Sequence, residues 1–549
     1  MEEFKSIPVI DLFAGPGGLG EGFSSVKSND KYFFDIKLSI EKDPIAHETL
    51  KLRSFYRKFL HKGLEIPEEY YDLLREPSLK KREKLLKSLY AQYPEVAKEA
   101  DVEARKIELG SDNYPALYVD ARIKNALGEE NKHWVLIGGP PCQAFSLVGR
   151  SRVGGVHETD HRVYLYKEYL RIIANHHPSV FIMENVKGLL SAQVNGEKVF
   201  DWMLRDLQNP ASVFKNSKSP KYTIYSLAKT DIKDHKDYLI KAEKYSIPQK
   251  RHRVILIGVR EDVNVQPEVL KEGGKVTLES VIGSLPALRS ALSRDFIKSE
   301  IVEGRKKRIY EKLEDSETLW NEKVRAFRNQ LLTKNEFGVK KELYENMLFE
   351  NGIGAEFIEC ANTIAQDHPL YKWYSDPKLG GVINHESRSH LLQDIKRYLF
   401  ASMYSKHNNK FPRMADYAKY DQELLPDHES ASTGKFADRF RVQLPDDTAT
   451  TVTSHISKDG HYFIHYDPKQ CRSLTVREAA RIQTFPDNYL FWGGRTSQFH
   501  QVGNAVPPYL AKQIGDIVRD LFLKMEDQEI NEQGDAQEQL KGELVIEHS

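Results

Sequence analysis

An apolar run, Pro8-Val9-Ile10-Asp11-Leu12-Phe13, breaks directly into the turn Gly15-Pro16-Gly17-Gly18-Leu19-Gly20. A run of this kind reads as a buried strand. The glycines at 15, 17 and 20 allow a tight backbone turn and the opening of a helix through Glu21-Gly22-Phe23. A second strand, Phe33 to Ile40, ends at the acid Glu41. Strand, glycine turn, helix and strand begin an open α/β sheet, in which ligands bind beyond the carboxyl ends of the strands. Three spaced glycines followed by an acid about 20 residues on also fit the dinucleotide fingerprint. The spacing admits a nicotinamide enzyme, and equally any adenosyl cofactor that needs a close backbone approach.

The same strand-then-loop pattern returns at Trp134-Val135-Leu136-Ile137, which leads into Gly138-Gly139-Pro140-Pro141-Cys142-Gln143-Ala144-Phe145-Ser146. Two prolines fix φ and stop helical continuation, so the thiol of Cys142 is held on a turn instead of filling a core. That position suits a nucleophile. A third apolar run, Val180 to Met183, delivers Glu184-Asn185-Val186 to the same sheet edge, and Gln249-Lys250-Arg251-His252-Arg253 precedes the strand 254–259 with two alternating arginines.

Length and charge bound the rest. A chain of 549 residues exceeds one core, and about two to four domains are expected. Hydrophobic residues make up 40% and charged residues 29%, as in a soluble globular protein. No run approaches the roughly 18 apolar residues of a membrane span, and Met1-Glu2-Glu3-Phe4-Lys5 has no signal-peptide pattern, so a cytoplasmic protein without membrane contact is expected. Cys142, Cys360 and Cys471 match no zinc spacing, and His455, His461 and His465 lack supporting ligands, so no metal is expected. Basic and acidic residues balance at 80 each. A nucleic-acid footprint would therefore need charge segregated onto one face.

Between 51 and 112 the leucines fall at helical spacing among charges, as in 75–90, which reads as a helical insertion with a solvated basic face. Ala116 to Val119 reads as a strand ending at Asp120, returning the chain to the sheet. Thr450 to His455 with the Asp459-Gly460 turn suggests a hairpin. From about Lys524 the acid-rich sequence lacks periodicity and reads as a disordered tail through 549.

Six blocks in order resemble the cytosine-C5 DNA methyltransferases: Asp11 to Gly20, Gly139 to Ser146, Glu184 to Val186, Gln249 to Arg253, Arg477 to Gln483, and Gly503-Asn504-Ala505-Val506-Pro507-Pro508. The resemblance implies a Rossmann-like class I methyltransferase sheet with helices on both faces and a smaller target-recognition domain. The catalytic domain is expected over 1–270, target recognition over 275–490, and the return to the catalytic domain over 495–523. By resemblance, Cys142 would add to cytosine C6, Glu184 would meet N3, Arg253 would hold O2, and Arg251 would lie near phosphate or the thiol. S-adenosylmethionine would be the co-substrate, with Phe13 on adenine and Gly15, Gly17, Gly18 and Leu19 around the methionine part. Glu41 would take the ribose, Asp120 the adenine amino group, and Pro140, Asn504 and Val506 would close the site.

Double-stranded DNA is the implied partner, with the target base flipped out and 147–155 closing behind it. A monomer is expected. A restriction-modification or related defence setting, with a cognate restriction endonuclease or other defence protein, is what the family likeness suggests. An RNA cytosine-C5 methyltransferase is the nearest rival, and its usually shorter target domain argues against it. A binding protein that kept the fold without catalysis is a further rival, opposed by the intact Cys142, Glu184 and Arg253.

Overall fold

The computed structural model describes residues 5–129, 132–141, 161–194, 196–214, 218–303, 305–333, 352–361, 363–426 and 439–546. Eight strands form the central sheet: β1 Ile7–Leu12, β2 Phe34–Glu41, β3 Ala104–Lys106, β4 Val135–Gly138, β5 Val180–Val186, β6 Tyr222–Ser226, β7 Leu239–Lys241 and β8 His252–Arg260. Their order is β6-β8-β5-β4-β1-β2-β3, with β7 paired to β8. The strands from β5 through β3 run parallel, whereas β8 is antiparallel to β5 and β6. The start of β8 therefore lies at the same edge as the ends of the parallel strands.

Both faces of the sheet are covered, which explains the near-continuous apolar runs within the central strands β4, β5 and β8, whereas β2 alternates apolar and polar residues. On one face Ile10, Leu12, Leu136 and Met183 pack with Val119 and Ile123 of α6 (Ala116–Leu127) and with Tyr169 and Ile173 of α7 (His161–His176). On the other, Val9, Val135, Ile182 and Ile257 pack with Leu19 of α1 (Gly18–Ser24) and with Leu510 and Ile514 of the last helix, Pro508–Ile546. The carboxyl-terminal helix thus returns to the sheet begun by β1. It continues to Ile546, so the tail expected to be disordered from 524 is helical in its described part. Once nucleated on the sheet, a helix extends cheaply through Glu, Gln and Lys.

The insertion is helical but ends earlier than expected. Its helices are α2 Pro44–His61, α3 Glu68–Arg75, α4 Leu79–Gln92 and α5 Pro94–Glu103, after which β3 already rejoins the sheet beside β2. Asp43 caps α2 by accepting from the Ile45 and Ala46 amides, and Pro44 occupies its first turn. On α4, Lys80, Lys81 and Lys84 are exposed, while Arg82 is buried and faces Glu356 at 3.4 Å.

The strand expected at 116–119 is the start of helix α6. Val119, Ile123 and Leu127 bury one stripe at four-residue spacing, a period that the four-residue apolar run alone does not reveal.

The span expected for target recognition contains a long antiparallel ribbon, β9 Ala291–Val302 with β10 Arg305–Lys312, a strand pair Gly354–Glu359 and Gly381–Glu386, and β13 Ser389–Leu391 beside β9 (the preceding pair being β11 and β12). Helix α8, Leu392–Asn408, packs beneath the ribbon's base. The hairpin expected at 450–460 is absent among the described residues. Instead, Ala449 and Thr450 pair in parallel with Gln249 and Lys250, and 454–457 form a short 3₁₀ turn. Gln249 causes this by accepting from the Val452 amide while donating to the Ile482 carbonyl and the Gln483 side chain. Among the described residues no helix is long and apolar enough to cross a membrane.

Candidate active site

Four strand ends meet at one edge of the sheet. β1 leads into Phe13, Gly15 and Gly17, all with positive φ (57°, 56° and 95°), and Gly17 caps α1. A Cβ on Gly15 would meet nothing within 4 Å, so open space lies against that backbone. Gly18 has the opposite reason for being glycine. A Cβ there would lie 2.3 Å from the Val506 carbonyl oxygen, so the segment preceding the last helix presses directly onto the turn. Leu19 and Val506 are buried, while Asn504, the last residue of α10 (Arg495–Asn504, preceded by α9 Val476–Ile482), is exposed.

Glu41 ends β2 beside this turn. Its Oε2 accepts from the Gly15 amide at 2.8 Å and its Oε1 from the Asp43 amide at 2.7 Å. A carboxylate has about four acceptor sites, so it retains capacity for a hydroxyl pair. Burial pushes its pKa above the ordinary value. The open Gly15 backbone and the acceptor at Glu41 suit an adenosyl ligand.

Asp120 does not join them. On α6 it accepts from Arg171 at 2.7 Å and faces His176 at 2.9 Å. Burial pushes its carboxyl up, and those partners outweigh it, holding the pKa at about 2. The adenine role expected for Asp120 is thereby displaced, because the strand expected to deliver it is a helix on the sheet's flank.

At the other side of the edge, β4 ends at Gly138 and leads into Gly139, Pro140 and Pro141. Cys142 and the 147–155 loop lie outside the described residues. A Cβ on Gly139 would stand 3.1 Å from Glu184 Oε2, so the backbone two residues ahead of Pro141 abuts this carboxyl. Glu184 Oε1 pairs with Arg253 Nε at 2.8 Å. The register explains the pair: Arg253 lies opposite Val186 and Ile255 opposite Glu184, so both side chains share one face as diagonal neighbours. Asn185 turns the other way, and its Nδ2 is 3.5 Å from the Pro140 carbonyl oxygen. Pro140 is buried beneath the turn.

Arg251 differs from its neighbour. Only 2% exposed, it donates to the Val452 carbonyl at 2.8 Å and the Gly503 carbonyl at 3.3 Å. Burial, with the Arg253 charge beside it, lowers its pKa far below the usual guanidinium value. A phosphate contact does not fit so enclosed a side chain; Arg251 ties β8 to the 452 segment and the end of α10.

Some residues that build the site carry no local signal. Tyr489 donates its hydroxyl to the Pro16 carbonyl and so braces the glycine turn from 473 positions away. Asp11, inside β1, is wholly buried, and burial pushes its pKa up to about 8 against the pull of Arg57 and the Gly20 amide. Glu21 of α1 is held by Arg53 of the insertion at 2.9 Å. His461 meets the Tyr398 hydroxyl at 2.7 Å, and His465 is buried 3.6 Å from Glu478, as structural histidines.

A mixed sheet with a glycine turn and an acid at adjacent strand ends, and a carboxylate-arginine pair across the same edge, defines a class I methyltransferase fold. A model of the C-5 cytosine-specific DNA methylase family matches residues 115–519. The Type II methyltransferase M.Bpa9945I of Bacillus paralicheniformis is 32% identical over 529 residues, covering 94% of this chain and 99% of that protein. A putative type II methyltransferase of Oceanobacillus iheyensis is 23% identical, covering 94% and 96%. The DNA (cytosine-5-)-methyltransferase M.ApeKI of Aeropyrum pernix is 27% identical, covering 71% and 81%. This chain belongs to the C-5 cytosine-specific DNA methylase family.

Proposed function

We infer that the protein methylates C5 of a cytosine flipped out of a specific duplex DNA sequence, through a covalent Cys142 adduct, within a type II restriction-modification setting. The observation that carries this is the Glu184–Arg253 pair at 2.8 Å, set against Gly139 and three residues ahead of Cys142 in the chain. Cytosine C5 is a poor nucleophile until a nucleophile adds at C6. Cys142 thiolate would form the C6–S bond while Glu184 Oε2, the oxygen not taken by Arg253, shares a proton with N3 and relieves the ring's developing charge. Arg253, still holding free guanidinium donors, would reach O2 and orient the base. Loss of the C5 proton and β-elimination would then break the C6–S bond and restore the thiolate.

The co-substrate implied by the family is S-adenosylmethionine, which supplies an electrophilic methyl group when bound. Phe13, Gly15, Gly17, Gly18, Leu19, Glu41 and Val506 would hold it, Asn504 and Pro140 would border it, and Asp120 would take no part. Arg251 would act by position, keeping Arg253 and the start of β8 in register with the 452 segment.

The test is transfer of labelled methyl from S-adenosylmethionine to duplex DNA by the wild-type protein and by Glu184→Gln and Arg253→Ala. Both variants should lose transfer while still binding S-adenosylmethionine by calorimetry. Full transfer by Glu184→Gln would remove the proton-sharing role.

A further inference from the structure

Because the whole chain carries no net charge, a nucleic-acid footprint requires local segregation, and the β9–β10 ribbon provides it. Its register pairs Arg294 with Lys312, Phe296 with Tyr310, and Ser299 with Arg308. Residues opposite one another in an antiparallel ladder share a face, and the bulge at Ile297 keeps both halves of the ribbon in phase. One face therefore carries Arg294, Arg308 and Lys312 about the Phe296–Tyr310 ring pair. None of its described residues is acidic. The acids fall on the other face, where Asp295 opposes Glu311 and Glu300 opposes Lys307, and where Lys298 pairs with Glu300 at 2.7 Å.

The cationic face is also a built surface. The Arg294 guanidinium lies 4.9 Å over the Tyr310 ring, and Phe296 meets that ring edge-on at 5.9 Å. The ribbon is anchored at its base, where β13 pairs with Ala291 to Arg294 and Leu292 joins the core around α8. Farther out, Ile297 and Ile301 are 55% and 80% exposed. The eight residues beyond Arg294 reach about 26 Å at the rise of a strand. Exposed branched side chains on a protruding ribbon are an aggregation hazard unless something covers them.

We propose that this ribbon is the groove-reading element of the chain and that its acid-free face enters duplex DNA. A major groove admits a two-stranded ribbon, with cations meeting phosphates or guanine edges and an aliphatic side chain such as Ile301 meeting a thymine methyl. The assignment rests on the DNA methyltransferase reading and names the surface that delivers the target.

The experiment uses the full chain and a fluorescent random-sequence duplex, with anisotropy measured across a salt series. Arg294→Ala, Arg308→Ala and Lys312→Ala combined should weaken binding by at least about tenfold and lower the salt slope by about 2 to 3, since each lost phosphate contact removes about 0.9. Lys298→Ala with Lys307→Ala, on the opposite face, should change affinity by less than about twofold, and S-adenosylmethionine binding should be unaltered in both. Wild-type affinity and slope in the triple variant would overturn the assignment, as would an equal loss in the opposite-face variant. An acidic protein as the true partner would give the first of these results. Binding needs no turnover, so a wild-type protein that binds duplex through this face but methylates no cytosine would remove the enzymatic reading alone.

Discussion

Glu184 and Arg253 sit where they do because β5 runs parallel and β8 antiparallel, which brings the end of one beside the start of the other. Both were legible in the sequence, since each adjoins an apolar run long enough to identify its strand. If Glu184 shares a proton with the base, Glu184→Gln should lower the rate constant for methyl transfer by about 10²- to 10⁴-fold, with S-adenosylmethionine affinity unchanged. Asp11 was not legible as a special residue, because burial of its carboxyl depends on α1 and the insertion closing over β1. Its folded pKa of about 8, against 3.8 ordinarily, means that the folded state binds the proton more tightly. This stability is fully present below about pH 4 and is lost as pH rises through about 8. Asp11→Asn should therefore flatten the loss of stability between those pH values, as measured by chemical denaturation at a series of pH values. An unchanged pH dependence would show that the carboxyl ionises without cost.

At the scale of elements, the insertion joins parts of the chain that no sequence window contains together. Arg53 of α2 donates to Glu21 of α1 and, at 2.9 Å, to Asn488, which in turn donates to Asp376 at 2.6 Å. Breaking a buried pair by removing one partner typically costs about 3–5 kcal/mol, so Arg53→Ala should lose that much in denaturant titration. Adding Glu21→Gln should recover part of the loss; a double variant as unstable as the sum of both singles would deny that the two charges act as a pair. Gly18→Ala places a methyl where the Val506 carbonyl already stands, and overpacking of this kind costs about 1–3 kcal/mol. It should also weaken S-adenosylmethionine binding, read by calorimetry. The glycine turn was recognisable from its spacing, but the reason for Gly18 was not, since Val506 arrives from the far end of the chain. Asp120 shows the opposite failure. Four apolar residues fit a strand as well as a helix, and only the stripe through Ile123 and Leu127 decides between them.

Over the whole molecule, the order of the blocks leads to the expectation that the chain's end returns to the sheet begun by β1, and the last helix packs against that sheet. Boundaries were less legible, because β3 is only three residues long and hides at the end of a helical excursion. If the strand-end edge holds the co-substrate, S-adenosylmethionine at 100 times its Kd should stabilise the folded chain by about 2.7 kcal/mol and raise Tm accordingly. The most direct measurement is the fate of labelled methyl from S-adenosylmethionine incubated with duplex DNA, resolved by nucleoside analysis for wild type and Cys142→Ala. The account predicts label only in 5-methylcytosine with the wild-type protein and none with the variant. Label at an exocyclic amine, or undiminished transfer by Cys142→Ala, would contradict it.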